Sequence, residues 1–192
     1  MAAVHHSELV LGGVRSGKSR YALARAERST ARTTFIATAQ PLDAGMRERI
    51  AGHRAERPRH FTTVEEPFDL VAACRRCQGR DQLALIDCLT LWVSNLLLRG
   101  DGEARILSEA DELMKLVRER SLSVIIVSNE VGEGVHPATS LGVEFGDVMG
   151  QVNQRIAAAV DRVTLMVAGI PVTIKDVATT TTLSHEQPLQ AP

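Results

Sequence analysis

The sequence predicts an α/β protein built on a mainly parallel sheet, and three observations carry that prediction. Short apolar runs alternate with amphipathic stretches over most of the 192 residues. A glycine-rich loop joins the first such run to the first helical stretch. A terminal pair of β-rich runs, Arg162 to Ala168 and Ile170 to Lys175, is separated by little more than Gly169 and reads as an antiparallel hairpin.

Composition narrows the field before any motif does. The chain is long enough to bury one core, and residues 8–176 read as a single domain with 177–192 as a loose tail. A hydrophobic fraction of 44%, a charged fraction of 23% and a net charge of -1 give no bulk attraction to nucleic acid or to anionic membranes. No long apolar stretch suggests membrane insertion. The odd count of 3 cysteines and the lack of a signal-peptide pattern point to a reducing cytoplasm. Cys74-Arg75-Arg76-Cys77 has the C-x-x-C form, but it has no second pair and lies in a helical stretch, so it is read as structural.

Taken in order, Met1 to Ser7 is a loose lead-in, and Glu8 to Leu11 is a strand. Gly12-Gly13-Val14-Arg15-Ser16-Gly17-Lys18-Ser19 then fits the phosphate-loop pattern G-x-x-x-x-G-K-[ST] at every fixed position. Glycines let backbone N–H groups turn inward toward phosphate oxygens, and Lys18 adds a mobile charge for the outer phosphates. Ser19 offers a hydroxyl to Mg²⁺ at the positive end of a helix running from Arg20 to Arg28.

Thr33 to Ala37 is a second strand, and Thr38-Ala39-Gln40-Pro41 is the strand-end loop where open α/β sheets bind ligands. Asp43 caps a polar helix to Arg57 that carries His53. Its apolar stripe, Met46 and Ile50, is thin, so the helix faces solvent or a ligand. A short strand within residues 57–67 leads to a helix from Phe68 to Cys77.

Gln82 to Asp87 is an apolar run ended by an acid, the form of a buried parallel strand that carries the second Mg²⁺-associated carboxylate. Asp87 also suits a cap for the helical stretch that follows, Leu91 to Leu98. Glu103 to Arg120 has apolar positions at helical spacing, and Ser123 to Ser128 is another buried strand. The glycine-containing stretch Asn129 to Pro137 after it is a candidate functional loop, with the roles of Asn129 and Glu130 open. Phe145 to Asp161 is a helix with one apolar side.

These residues specify a nucleotide-using protein without naming its substrate. Several phrases in order go further: the loop Gly12 to Ser19, then Ile36-Ala37-Thr38-Ala39, then Met46, Arg49, Ile50, His53, Arg57 and Pro58. Asp87-Cys88-Leu89-Thr90 with Asn95-Leu96, Val127 to Gly132, and Val152-Asn153-Gln154-Arg155 follow. The series resembles the bifunctional adenosylcobinamide kinase/adenosylcobinamide-phosphate guanylyltransferase family of cobalamin biosynthesis, over roughly Leu9 to Lys175.

The resemblance implies a single RecA-like P-loop domain in which ATP or GTP phosphorylates adenosylcobinamide. GTP then gives GMP to adenosylcobinamide phosphate through a GMP-histidine intermediate. It places the histidine at His53 and makes Lys18 the second catalytic residue. It assigns nucleotide contacts to Gly12 through Arg20, to Ala39, Gln40 and Pro41, to Arg54, Ala55, Glu56 and Arg57, and to Glu65 and Asp87. Mg²⁺ falls to Ser19 and Asp87, and the assembly is a homotrimer. His60 is a competing histidine at a position the motif leaves open. No Asn-Lys-x-Asp guanine-reading tetrapeptide occurs, so GTP preference rests on the resemblance. A P-loop kinase of another small alcohol would need no histidine nucleophile, and a nucleotide-switched regulator would need no acceptor site. Arg49, His53 and Arg57 on one polar helix favour transfer chemistry.

Overall fold

The computed structural model describes residues 6–79, 82–120, 122–134 and 136–177. The chain runs β1 (Ser7–Gly12), α1 (Lys18–Glu27), β2 (Arg32–Ala37), α2 (Ala44–Glu56), β3 (Thr62–Glu65), α3 (Leu70–Arg76) and β4 (Gln82–Asp87). It continues with α4 (Leu89–Arg99), α5 (Glu103–Arg118), β5 (Ser123–Val127), α6 (Ser140–Ala159), β6 (Arg162–Val167) and β7 (Ile170–Asp176). Among the described residues the strands form one 7-stranded sheet in the order β3-β2-β4-β5-β1-β6-β7. Every pairing is parallel except that of β6 with β7. β5 separates the glycine-loop strand β1 from the acid-tipped strand β4, as expected for a RecA-like sheet.

Alternation along each strand sends neighbouring side chains to opposite faces, and each face has its own core. Leu9, Leu11, Ile36, Ile86 and Ile126 pack with α3 to α6 around buried Trp92, Leu113 and Met149. Val10, Phe35, Leu85 and Val127 face the other way onto Ala22, Leu23 and Ala26 of α1. Helix α2 joins neither core. None of its residues is buried, and it is started by Asp43, whose carboxylate accepts from Met46 N at 2.7 Å.

The structure moves several boundaries. Ser7, expected in the lead-in, is a buried residue of β1 whose hydroxyl donates to Asp161 Oδ2 at 2.8 Å. Val177, expected to open the tail, instead donates its backbone N–H to Asp161 O at 3.0 Å, next to Asp176, which ends β7 and pairs with Arg162. The rest of the expected tail, 178–192, lies outside the described residues, as do residues 1–5 of the expected lead-in. Helix α6 begins at Ser140, five residues before Phe145, because Thr139 caps it by accepting from Gly142 N at 3.1 Å. The β6–β7 turn uses Ala168 and Gly169, both at positive φ (51° and 84°), as a two-residue hairpin requires. No helix among the described residues is long and apolar enough to cross a membrane.

One buried charge ties the glycine-loop helix to the sheet. Glu8 of β1 is 3% exposed, and its carboxylate accepts from Tyr21 Oη at 3.1 Å, Thr164 Oγ1 at 2.8 Å and Arg25 Nε at 3.1 Å. All its partners belong to α1 or β6. Replacing Glu8 by Ala should therefore lower unfolding free energy by about 3 kcal/mol, read from urea denaturation, since three donors lose a charged acceptor together.

Candidate functional site

The glycine loop leaves β1 at Gly12 and enters α1 at Lys18. Gly12 has φ +148°, and a Cβ there would lie 2.6 Å from Met166 O and 2.7 Å from Ser16 Oγ, so no larger residue fits between the loop and β6. Gly17, at φ +94°, is the N-cap of α1 and leaves the first-turn amides free of any side-chain cap. Gly13 is different: a Cβ there would touch nothing within 4 Å.

Both flanks of the loop are braced. Gly169 N, from the hairpin turn, donates to Ser16 O at 3.0 Å, and Glu130 N, from beyond β5, donates to Gly12 O at 3.2 Å. Lys18 is 7% exposed, and its ammonium donates to Gly13 O at 2.6 Å. Burial pulls its pKa below the ordinary lysine value, against the opposing influence of Cys88 and Asp87. The Ser16 hydroxyl is buried and has no hydrogen-bond partner among the described residues. A buried cation beside an unsatisfied hydroxyl and free helix-end amides is a site built for a polyanion. Val14, Arg15 and Arg20 lie exposed at its rim.

The structure brings Ser19 and Asp87 together. The Ser19 hydroxyl lies close enough to the Asp87 carboxylate to oppose its pKa shift, and two oxygen ligands of this kind beside a phosphate site suit Mg²⁺. Burial raises the Asp87 pKa above the ordinary carboxylate value; the Ser19 hydroxyl and then the charges of His53, Arg57 and Lys18 oppose that rise. Asp87 is placed by ties the sequence did not display. Thr38 N donates to Asp87 O at 3.2 Å, and Thr38 Oγ1 donates to Cys88 O at 2.7 Å while accepting from Cys88 N at 2.8 Å. Asn95 of α4 locks this corner by donating to Thr38 O at 2.8 Å and Pro67 O at 3.1 Å. These bonds join the ends of β2 and β4, so the acid and the loop after β2 form one rigid corner. Ala39 and Gln40 are half-buried beyond it and Pro41 is exposed.

Helix α2 supplies the rest. His53 is exposed and near enough to Asp87 to influence it electrostatically, which puts the imidazole on the side of the phosphate site. Arg54 pairs with Glu65 of β3. The Arg57 guanidinium lies over the Phe35 ring, 3.9 Å from its centroid, and its buried Nε has no partner among the described residues. Arg54, Arg57, Pro58, Arg59, Phe61, Thr63 and Glu65 line an open cleft of about 460 Å³. Ala55 and Glu56 are exposed on the same helix. His60 does not line this cleft; it packs its ring edge-on against Phe61 at 4.9 Å. The cysteines stay out of the chemistry: burial, with help from a neighbouring acid or thiol, pushes Cys88 up to about 11 and Cys74 up to about 12.

Residues 8–174 match the family model described as cobinamide kinase / cobinamide phosphate guanyltransferase. The bifunctional adenosylcobalamin biosynthesis protein CobP of Pseudomonas aeruginosa is 45% identical over 168 residues, covering 88% of this chain and 96% of that protein. The bifunctional adenosylcobalamin biosynthesis proteins CobU of Escherichia coli and of Salmonella typhimurium are each 38% identical over 179 residues, covering 87% of this chain and 98% of theirs.

The raised Asp87 pKa carries a sign. In the nucleotide-free protein at neutral pH the ionised carboxylate costs stability relative to the unfolded chain, and that cost disappears once pH falls below the ordinary carboxylate range, where both states are protonated. Asp87→Asn should raise the melting temperature of the nucleotide-free protein at pH 7 and lose that advantage near pH 3.5, measured by circular dichroism across the range. A variant less stable than wild type at pH 7 would contradict this account.

Proposed function

The chain belongs to the cobinamide kinase / cobinamide phosphate guanyltransferase family, and on that premise we propose that a single phosphate cradle serves two different cleavages. The enzyme is a kinase and a guanylyltransferase of adenosylcobalamin biosynthesis, and its substrates are cobinamide compounds and nucleoside triphosphates. One observation carries the shared-cradle reading: the buried Lys18 ammonium on Gly13 O lies in the same loop as the Ser16 hydroxyl, which has no partner among the described residues.

In the kinase reaction the adenosylcobinamide hydroxyl attacks the γ-phosphorus, the bond to the bridging oxygen breaks, and a nucleoside diphosphate leaves. Lys18 and the loop amides hold the charge that gathers on the departing oxygen. In the transferase reaction the neutral His53 imidazole attacks the α-phosphorus of GTP and expels pyrophosphate from the same cradle. The phosphate of adenosylcobinamide phosphate then displaces His53 from that phosphorus, which gives adenosylcobinamide-GDP. Mg²⁺, held by Ser19 and Asp87 when bound, would neutralise the outer phosphate oxygens.

The remaining groups sort by what they can hold. Arg54, Arg57 and Glu65 line the cleft beside α2, where guanidinium groups suit phosphate or ribose oxygens and the Glu65 carboxylate suits ribose hydroxyls or guanine N–H groups, and Ala55 and Glu56 are exposed on the same helix as further nucleotide contacts. Ala39, Gln40 and Pro41 present the backbone of the corner beside Asp87. Val167, Ile170, Val172 and Ile174 leave apolar side chains exposed on the hairpin, a surface that suits a homo-oligomer, by family resemblance a homotrimer.

The assignment of His53 is tested with GTP labelled at the α- or the γ-phosphate. Wild type should retain only the α-label, in an acid-labile and alkali-stable form. His53→Ala should lose it together with about a thousand-fold or more of guanylyl transfer, while kinase turnover remains measurable. Full retention of the label by His53→Ala would rule the nucleophile out.

A further inference from the structure

The kinase reaction needs a group to take the proton of the attacking hydroxyl, and the segment after β5 is built to hold one. Pairing between β5 and β1 continues past the end of the strand: Ser128 N donates to Val10 O at 2.9 Å and Glu130 N to Gly12 O at 3.2 Å. Two helices clamp the same backbone. The buried Ser128 hydroxyl donates to Asn153 Oδ1 of α6 at 2.7 Å, and Asn153 Nδ2 donates to Asn129 O at 3.0 Å. From α4, Thr90 Oγ1 accepts from Asn129 N at 2.9 Å. Gly132, at φ +102°, follows two residues after Glu130. The position of Glu130 is therefore fixed by α4, α6 and the glycine loop at once.

That position adjoins the phosphate cradle. Glu130 is bonded to Gly12, and the neighbouring Gly13 carbonyl holds the Lys18 ammonium, the group that serves the outer phosphates. Of the other carboxylates near the cradle, Asp87 lies beside Ser19 and Glu65 pairs with Arg54. Glu130 is half-buried and makes no hydrogen bond or ion pair through its side chain to any described residue.

Resting on the function proposed above, we propose that Glu130 is the general base of the kinase reaction. As the hydroxyl oxygen bonds to the γ-phosphorus, its proton passes to the Glu130 carboxylate, and the electron pair of the breaking bridge bond leaves with the nucleoside diphosphate. Glu130 then releases the proton to solvent. Burial, and next to it the charge of Glu133, raise its pKa above the ordinary carboxylate value, which makes it a better proton acceptor than a surface acid. Guanylyl transfer makes no such demand, because a neutral imidazole nitrogen and a phosphate oxygen both attack without a proton to lose.

The test assays the full chain in two reactions: adenosylcobinamide with ATP or GTP for phosphorylation, and adenosylcobinamide phosphate with GTP for guanylyl transfer. Glu130→Gln should lower kinase kcat about 100-fold or more with KM values within about threefold, and should lower guanylyl transfer far less. Glu130→Asp should recover part of the kinase kcat. A kinase kcat for Glu130→Gln within about threefold of wild type would overturn the proposal, and so would equal losses in both reactions, which would make Glu130 a brace for Gly12. Absence of kinase activity in the wild type would instead overturn the functional reading on which the proposal rests.

Discussion

Lys18 carries an ammonium group into a site where it is 7% exposed and bonded to a single carbonyl, that of Gly13. A cation so placed is poorly compensated, and its lowered pKa is the mark of that. Much of the surrounding architecture keeps the arrangement from relaxing. Met166 of β6 presses on Gly12, the hairpin turn grips Ser16 through Gly169, and the segment after β5 grips Gly12 from the other flank. Glu8 anchors α1 to β1 and β6 on the face below. A polyanion supplies the missing charge and the missing partner for the Ser16 hydroxyl. Nucleotide binding and folding stability are coupled through this one loop.

A fixed cradle can serve two phosphorus atoms when the attacking groups approach from different elements. The segment after β5 adjoins the glycine loop at Gly12, and its backbone is clamped by α4, α6 and β1. His53 stands on α2, which buries none of its residues and is held by its Asp43 cap, the Arg47 contact to Pro41 O, the Arg54–Glu65 pair and Arg57 over Phe35. The rigid wall thus carries the base proposed for the γ-phosphorus, and the lightly held helix carries the nucleophile proposed for the α-phosphorus.

The parts of this arrangement that sequence displays are those governed by local rules. Gly12 to Ser19 is legible because its backbone demands a fixed residue pattern, and β4 is legible because a buried parallel strand is an unbroken apolar run. The weak apolar stripe of α2 announced its exposure correctly. What escaped depends on partners far along the chain. Ser7 and Val177 looked like loose ends because Asp161, which holds both, lies 154 residues from the first and 16 from the second. The start of α6 was hidden by Gly142 and Gly146, which weaken a helical pattern that Thr139 nonetheless caps. Thr38, Thr90, Asn95 and Asn153 stand in the phrases that carry the resemblance, but only the fold shows them to be the struts that hold the backbone around Asp87 and Glu130.

The central claim is that both electrophiles depend on one cradle, and Lys18→Ala tests it most directly. Each half-reaction is measured separately on a variant shown to unfold cooperatively. The account predicts that phosphorylation of adenosylcobinamide and guanylyl transfer to adenosylcobinamide phosphate both fall about 100-fold or more. Guanylyl transfer at the wild-type rate alongside a lost kinase activity would contradict it.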